Sequence, residues 1–151
     1  MTRVLFLCIG NSCRSQMAEG FARTYGADVI ESKSAGLAPA ISIAPLTRQV
    51  MLEKNIDLGD AFPKGVGMVI SSGIDLVINM SGHKLASKTS SAPVEDWEIR
   101  DPIGQSEDVY RTVRDEIEHR VMTLILALRA REAAAEPSGS TVDTRRRRPR
   151  Q

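Results

Sequence analysis

Residues 3–25 combine an apolar strand, a small polar loop and a helix. Residues 3–9 are β-branched or apolar, which is typical of a short strand buried in a parallel sheet. Residues 14–25 place apolar side chains at helical spacing and stop at Gly26, a residue that often follows a helix. Residues 28–32 form a second strand candidate, so the three elements predict a right-handed βαβ unit.

Strands and helices continue to alternate along the chain. Further strands are predicted at residues 74–80 and 94–99, helices from Pro45 to about Lys54 and from Glu107 to about Ala134, a weak helix over residues 55–73, and a loop at residues 34–42. This alternation predicts an α/β fold with a parallel sheet. Such folds bind ligands at the carboxyl edge of the sheet, where the strand at residues 3–9 ends.

The chain has 151 residues, of which 42% are hydrophobic, so we expect one domain with a real core. The net charge is +1, and removing the five arginines at 145–148 and 150 leaves −4 on residues 1–143. A mildly acidic body gives no specific nucleic-acid-binding face. The first apolar run ends at Ile9, too short for a secretory signal or a membrane span. We therefore expect a cytoplasmic location, where thiols stay reduced.

Both cysteines, Cys8 and Cys13, lie in the stretch CIGNSC, and four explanations are open. A disulfide would close so short a loop that it would add little stability. A structural zinc needs four ligands, and the two histidines show no ligand spacing to the cysteines, so no metal is predicted. Two buried core cysteines are the ordinary alternative. The fourth explanation is an anion-binding loop with a nucleophile at its base.

The residues of the loop favour the fourth explanation. Gly10 and Asn11 reach left-handed backbone angles readily, so successive N–H groups would turn inward as an anion-binding nest. The following helix directs its N-terminus at the same place. Arg14 adds a planar fork that matches two oxygens of a tetrahedral oxyanion. A cysteine in this setting, here Cys8, loses its proton easily and becomes a nucleophile.

Two rival phosphate-binding motifs are missing. No Gly-Lys-Ser/Thr follows Gly10, and the sequence GVG at 65–67 does not follow a convincing strand, so neither a nucleotide nor another cofactor is predicted. A thiolate that attacks phosphorus needs a proton donor for the leaving oxygen. Asp101 is a candidate because it follows the fourth strand, and Pro102 biases it to an extended conformation. A plain Asp-Pro turn is the alternative.

The motif CIGNSCRS at residues 8–15, together with the later Asp-Pro, resembles the low-molecular-weight protein tyrosine phosphatase superfamily, which includes the thioredoxin-coupled arsenate reductases. The likeness covers about residues 2–130. It implies a four-stranded parallel sheet flanked by helices, in a flavodoxin-like three-layer arrangement. We accordingly expect a single catalytic domain at residues 1–135 and a disordered Arg-rich tail at residues 136–151.

The resemblance implies a role for each matching residue. Cys8 is the nucleophile, Arg14 binds the oxyanion, and Asp101 is the general acid and then the base that activates water. Oxyanion binding and loop support fall to Ile9, Gly10, Asn11, Ser12, Cys13 and Ser15. Within this set, Asn11 supports the strained loop and Ser15 donates a hydrogen bond to the thiolate. Cys13 can bridge to Cys8 and protect it from over-oxidation.

The resemblance leaves the activity open between two branches. RSQMAEG at 14–20 and VRDEI at 113–117 are similar to the arsenate reductases, and Ile103 and Gly104 stand where the phosphatases usually carry tyrosines. The reductases, however, relay oxidation through two further cysteines after the third strand, where this chain has Ser81 and no cysteine. A three-cysteine internal relay is therefore excluded.

The expectation from sequence is thus a phosphomonoesterase of the tyrosine phosphatase type, a hydrolase that acts on a phosphorylated protein or a small phosphomonoester through a phosphocysteine. The first alternative is an arsenate reductase that uses an external thiol reductant. The second is a non-catalytic oxyanion-binding or redox-sensing module. No membrane partner is expected.

The Arg-rich tail has no apolar or aromatic residue beyond Val142, so any attachment it made would be electrostatic and sensitive to salt. We predict that deleting residues 137–151 leaves the melting temperature and the small-substrate kinetics nearly unchanged. Thermal unfolding and steady-state assays on the full and shortened chains test this. A large loss of either property would show that the tail packs on the domain.

Overall fold

The computed structural model describes residues 1–70, 73–85 and 91–135. It contains a four-stranded sheet in the order β2-β1-β3-β4, in which every neighbouring pair is parallel. The strands are β1 (Thr2–Cys8), β2 (Ile30–Gly36), β3 (Leu76–Asn79) and β4 (Val94–Asp96). The predicted α/β class and four-stranded parallel sheet are confirmed. The predicted tail at 136–151 lies outside the described residues.

Three α-helices accompany the sheet: α1 (Arg14–Tyr25), α2 (Pro45–Leu52) and α3 (Glu107–Ala135). Each begins where the sequence predicted it, since α1 follows the polar loop and α2 opens on a proline at its first turn. In the described part of residues 55–73, a short 3-10 helix, Val66–Met68, takes the place of the predicted weak helix. Gly65 and Gly67 interrupt that stretch and disfavour a longer helix.

Strand β1 is the centre of the core. Val4 and Phe6 face α1 and α3, while Leu5 and Leu7 face a smaller cluster on the other side of the sheet. All four side chains are completely buried, which explains the continuous apolar run in the sequence. Helices α1 and α3 pack against each other over β1, so α1 and the loop before it are firmly held.

Strand β2 corrects two sequence expectations. The strand was predicted at residues 28–32 and a loop at 34–42, but β2 runs through Ser34 and Ala35 to Gly36. These small residues do not look like a strand in sequence. They pair residue by residue with β1, and Ser34 and Ala35 are completely buried. Tertiary pairing therefore decides their conformation.

No helix in the described ranges is both long and apolar enough to cross a membrane. The long helix α3 has charged residues along its exposed side. Its buried side, which includes Ile117, Val121 and Ile125, covers the sheet.

The last pair of the β1–β2 ladder is Cys8 opposite Gly36. The two backbones come so close there that a Cβ added to Gly36 would lie 2.7 Å from the carbonyl oxygen of Ile9 and 2.8 Å from the amide nitrogen of Asn11. Both contacts are with backbone, which cannot rotate away. Glycine is thus required at this position to let β2 support the loop after β1.

We predict that Gly36→Ala destabilises the protein by about 1–3 kcal/mol, because the added methyl group must displace the loop backbone. The matched control is Gly67→Ala, whose Cβ would have no atom of the described residues within 4 Å. Urea unfolding of both variants measures the free energy of unfolding. Equal stability of the two variants would contradict the close packing of Gly36 against the loop.

Candidate active site

The loop between β1 and α1 turns its carbonyl groups outward. The carbonyl oxygens of four loop residues accept backbone hydrogen bonds from the segment after β2. The pairs, written acceptor first, are Cys8 with Leu37, Ile9 with Ala38, Gly10 with Ala40, and Ser12 with Ala44, at 2.8–3.2 Å. With these carbonyls held on the outside, the loop's N–H groups are free to converge on its inner side, as an anion-binding nest requires.

Asn11 fixes the shape of the loop from within. Its backbone has a φ of 52°, a left-handed angle that asparagine tolerates better than most residues. Its side chain is completely buried. The amide Nδ2 donates to Ser15 Oγ (2.7 Å), while Oδ1 accepts from Gln16 Nε2 (3.1 Å) and from the backbone N–H of Lys64 (3.0 Å). Asn11 thus connects the loop to Ser15 and Gln16 of α1 and to Lys64.

Cys8 lies at the floor of this loop and is 2% exposed. Its Sγ is 2.9 Å from Ser15 Oγ and accepts a hydrogen bond from the backbone N–H of Asn11 at 3.3 Å. Ser15 Oγ already accepts the Asn11 amide, so its own proton is available for the sulfur. Together with the N-terminus of α1, these donors stabilise negative charge on Cys8 Sγ.

Arg14 is 4% exposed and is held by its outer nitrogens. Nη1 donates to the carbonyl oxygens of Met80 (2.5 Å) and Ile99 (3.1 Å), which follow β3 and β4. Nη2 lies 3.5 Å from Asp101 Oδ2. Among the described residues, the buried Nε has no hydrogen-bond partner. A buried unpaired donor is costly, and a bound oxyanion would remove that cost.

Asp101 lies at the mouth of the loop. Its side chain is 44% exposed, and its Oδ1 accepts from the backbone N–H of Ile103 (3.1 Å), which fixes the carboxyl group in a turn. Its other oxygen faces Arg14. The structure thus places Asp101 beside Arg14, the residue at the end of the loop that begins at Cys8. The catalytic roles of these three residues stay a prediction.

Cys13 is a free thiol, like Cys8, but its surroundings differ. Its Sγ lies 3.6 Å from the hydroxyl of Tyr110 and 3.7 Å from Ser12 Oγ. Burial raises the pKa of the Cys13 thiol, and the neighbouring hydroxyls oppose that rise only in part. Burial and the contact with Cys13 also raise the pKa of Tyr110. Cys13 therefore stays protonated at neutral pH.

Sequence reasoning missed three residues that hold this site. Tyr110 contacts Cys13 from α3, Thr47 donates its hydroxyl to the carbonyl oxygen of Ser12 (2.8 Å) from α2, and Gly36 backs the loop. Only Gly36 had a local signal, as a glycine after a strand candidate. The other two are ordinary helix residues, and only the packing of α2 and α3 brings them to the loop.

The region after β3 contains a hydrogen-bond network around Ser81. The arsenate reductases named in the sequence analysis are expected to carry cysteines in this region. Ser81 Oγ donates to Asn79 Oδ1 (2.7 Å) and accepts from the backbone N–H of His83 (3.1 Å). Asn79 Nδ2 in turn donates to the carbonyl oxygen of His83 and to Asp96 Oδ1. These bonds close the turn after β3, and a serine cannot take part in a disulfide relay.

Comparison with known proteins finds arsenate reductases that align with this chain over nearly all of their own length. A glutaredoxin arsenate reductase from Synechocystis is 38% identical over 128 residues, which cover 83% of this chain and 97% of the relative. An arsenate reductase from Bacillus cereus is 35% identical over 121 residues, or 78% and 90% of the two chains.

The fold is also similar to those of solved structures of arsenate reductases and phosphatases. A structure described as an arsenate reductase in the phosphate binding state has a TM-score of 0.76 and 38% identity, covering 85% of this chain and 99% of that one. The low-molecular-weight protein tyrosine phosphatase from T. tengcongensis has a TM-score of 0.75 and 27% identity, covering 85% and 100%. The model of the low-molecular-weight phosphotyrosine protein phosphatase family matches residues 3–134. The chain therefore belongs to that family, and its enzymes include both the arsenate reductases and the phosphatases.

Proposed function

We propose that this protein is an arsenate reductase that takes its electrons from an external thiol. The observation that carries the proposal is the loop with the Cys8 thiol at its floor, where Ser15 and the backbone N–H of Asn11 contact the sulfur. The chain's only other cysteine, Cys13, has a pKa raised by burial and stays protonated. The arsenate reductases among the relatives at 35–38% identity support the same activity. The alternative named from sequence is thereby preferred over the phosphomonoesterase expected first.

The first step joins arsenate to the enzyme. The oxyanion sits in the inward N–H groups and against Arg14, and the Cys8 thiolate attacks arsenic. An As–S bond forms and an As–O bond breaks, while Asp101 supplies the proton with which the oxygen leaves as water. Arsenic remains at oxidation state V in this adduct. The burial of Arg14 and its fixed carbonyl partners place the guanidinium before the anion arrives.

The second step reduces arsenic. An external thiolate attacks Cys8 Sγ, the S–As bond breaks, and its electron pair stays on arsenic, which leaves as arsenite at oxidation state III. Cys8 is left in a mixed disulfide. A second thiol attacks the external sulfur, releases Cys8 and forms the oxidised disulfide of the reductant. Cys13 is a poor substitute for the external thiol, because its raised pKa leaves little thiolate.

A phosphomonoesterase is the second candidate, and the position of Asp101 supports it. Its carboxyl group lies beside Arg14 at the mouth of the loop, where it would protonate the ester oxygen and then activate water against a phosphocysteine. The phosphatase relative at 27% identity has the same fold. The side chain of Ile103 is half exposed there, and Ile103 and Gly104 follow Pro102 directly, so no tyrosine stands at these two positions to stack on a phosphotyrosine ring. A non-catalytic module would need no acid at this position.

We predict arsenate-dependent oxidation of NADPH when the protein is supplied with a small thiol, its disulfide reductase and glutaredoxin. Thioredoxin and its reductase alone should give at least about tenfold slower turnover, because the relay cysteines are absent. Para-nitrophenyl phosphate hydrolysis, measured on the same preparation, ranks the second candidate. Fast thioredoxin-linked turnover without a small thiol would contradict the external-thiol reaction, and hydrolysis without arsenate reduction would favour the phosphatase.

For Cys8→Ser we predict loss of both activities with oxyanion binding retained, because the N–H groups and Arg14 remain while a serine hydroxyl is not ionised at neutral pH. Phosphate binding by calorimetry and the two turnover assays measure this. Cys13→Ser is the matched control and should keep most arsenate reduction in the presence of the external thiol. Loss of activity in Cys13→Ser equal to that in Cys8→Ser would assign the second thiol to Cys13.

We expect Asp101→Asn to separate the roles of the acid. Adduct formation with aryl phosphates should slow by about 10²–10⁴-fold for poor leaving groups and less for activated ones, since activated leaving groups need less proton help. Single-turnover kinetics over a series of leaving groups measure the dependence. Equal losses across the series would show that Asp101 only shapes the turn with Ile103.

A further inference from the structure

A cavity of about 650 Å³ lies between α3 and the amino ends of β3 and β4, and we call it the α3–β4 cavity. We propose that it binds a free carboxylic acid with an elongated apolar body, of the medium-chain fatty acid type. A volume of this size is typical of sites for small molecules. Thr2 lines the cavity at the start of β1, whereas Cys8 ends that strand. The six residues of rise between them separate the site from the catalytic loop by about 20 Å.

Helix α3 supplies an apolar floor with an arginine at each end. Leu124, Ala127 and Leu128 line the cavity between Arg120 and Arg131. Eleven residues make about three helical turns, so both arginines project from the same side of α3. At about 1.5 Å per residue, they lie about 16 Å apart along the helix axis. The floor is therefore long and narrow, and an elongated ligand fits it better than a compact one.

The sheet forms the opposite wall, which places two large apolar side chains over this floor. Leu76 of β3 packs against the main core cluster, and Trp97, which follows β4, belongs to it. The indole is held in place, because its Nε1 donates to Glu95 Oε2 at 2.6 Å and its ring centroid lies 6.2 Å from that of Phe6. A hydrocarbon chain between the two walls leaves water for apolar contacts, and this transfer favours binding.

Arg131 is the cationic group that is left for a ligand. It is exposed, and within the described ranges it makes no hydrogen bond or ion pair. The two carboxylates that line the cavity already have partners. Asp75 accepts three hydrogen bonds from Arg3 at 2.8–3.1 Å, and Glu95 accepts the Trp97 indole N–H. A ligand carboxylate is thus matched by the guanidinium of Arg131, which can donate two parallel hydrogen bonds to it.

Arg120, at the other end of the floor, is partly occupied. Its Nε lies 3.6 Å from Glu116 Oε2, and its guanidinium carbon lies 5.9 Å from the centre of the Trp97 ring. This guanidinium therefore has an anionic and an aromatic partner already. The carboxylate of the ligand accordingly binds at Arg131, and its apolar end lies toward Trp97.

The first test is a titration with decanoate below its micelle-forming concentration. Trp97 is the chain's only tryptophan, so its fluorescence should change saturably, and calorimetry should give one site per protein. Decyltrimethylammonium has an alkyl chain of the same length with a cationic head, and it should bind at least about tenfold more weakly. Equal affinity for the two amphiphiles, or no saturable binding of decanoate, would overturn the proposal.

Two variants test the two parts of the ligand separately. Arg131→Glu should weaken decanoate binding at least about tenfold, because the carboxylate then meets a like charge. Ala127→Trp should weaken it as much, because an indole at this exposed position of the helix fills the floor. Lys84→Glu is the charge-matched control, since Lys84 is exposed after β3 and lines a different cavity, and its affinity should stay within about twofold. Thermal unfolding checks that each variant is folded.

The outcomes of the variants separate the parts of the proposal. Unchanged affinity in both variants would overturn the site, and a loss in Ala127→Trp alone would overturn the pairing of the carboxylate with Arg131. Saturating phosphate should leave the affinity for decanoate within about twofold, and competition by phosphate would move the carboxylate to the catalytic loop. Sedimentation with phosphatidylglycerol vesicles that required Arg131, without decanoate binding, would assign this surface to a membrane instead. None of these measurements involves arsenate turnover, so their failure leaves the proposed function in place.

Discussion

The outward pairing of the loop carbonyls is the interaction on which the rest of the site depends. The carbonyl groups of residues 8, 9, 10 and 12 accept hydrogen bonds from residues 37–44. Each of these bonds fixes the orientation of the local backbone. The inward N–H groups follow from that orientation, as does the strained angle at Asn11. The glycine at the end of β2 is what lets the two backbones approach. The shape of the loop is therefore a property of the β1–β2 ladder as much as of the motif.

Much of this could be predicted from sequence because the signals were local. The apolar run of β1, the proline at the start of α2 and the stripe on α3 each have the period or residue type of their element, and the motif at 8–15 is dense in informative residues. Asp101 could be placed because parallel strands bring their carboxyl ends to one edge. Its distance to Arg14 agrees with that reasoning.

What sequence did not predict depends on pairing between distant segments. Residues 34–36 look like a loop and become a strand only because β1 supplies a partner. Tyr110 and Thr47 contact the loop from α3 and α2, and the sequence pattern of these helices does not indicate either contact. Each miss is a case in which tertiary contacts outweigh local propensity.

The choice between hydrolysis and reduction lies in the second attack, since both reactions share the cradle, the nucleophile and the acid. A phosphocysteine is opened by water at phosphorus, with no change of oxidation state, whereas an arsenic adduct is opened by a thiolate at sulfur, with two electrons passing to arsenic. The first needs a base beside the loop, and Asp101 is placed for it. The second needs a thiolate. Cys13 does not supply it, because its raised pKa keeps the thiol protonated at neutral pH. For the two proposed reactions, the step after adduct formation is therefore decided by which nucleophile arrives from outside, water activated by Asp101 or an external thiol.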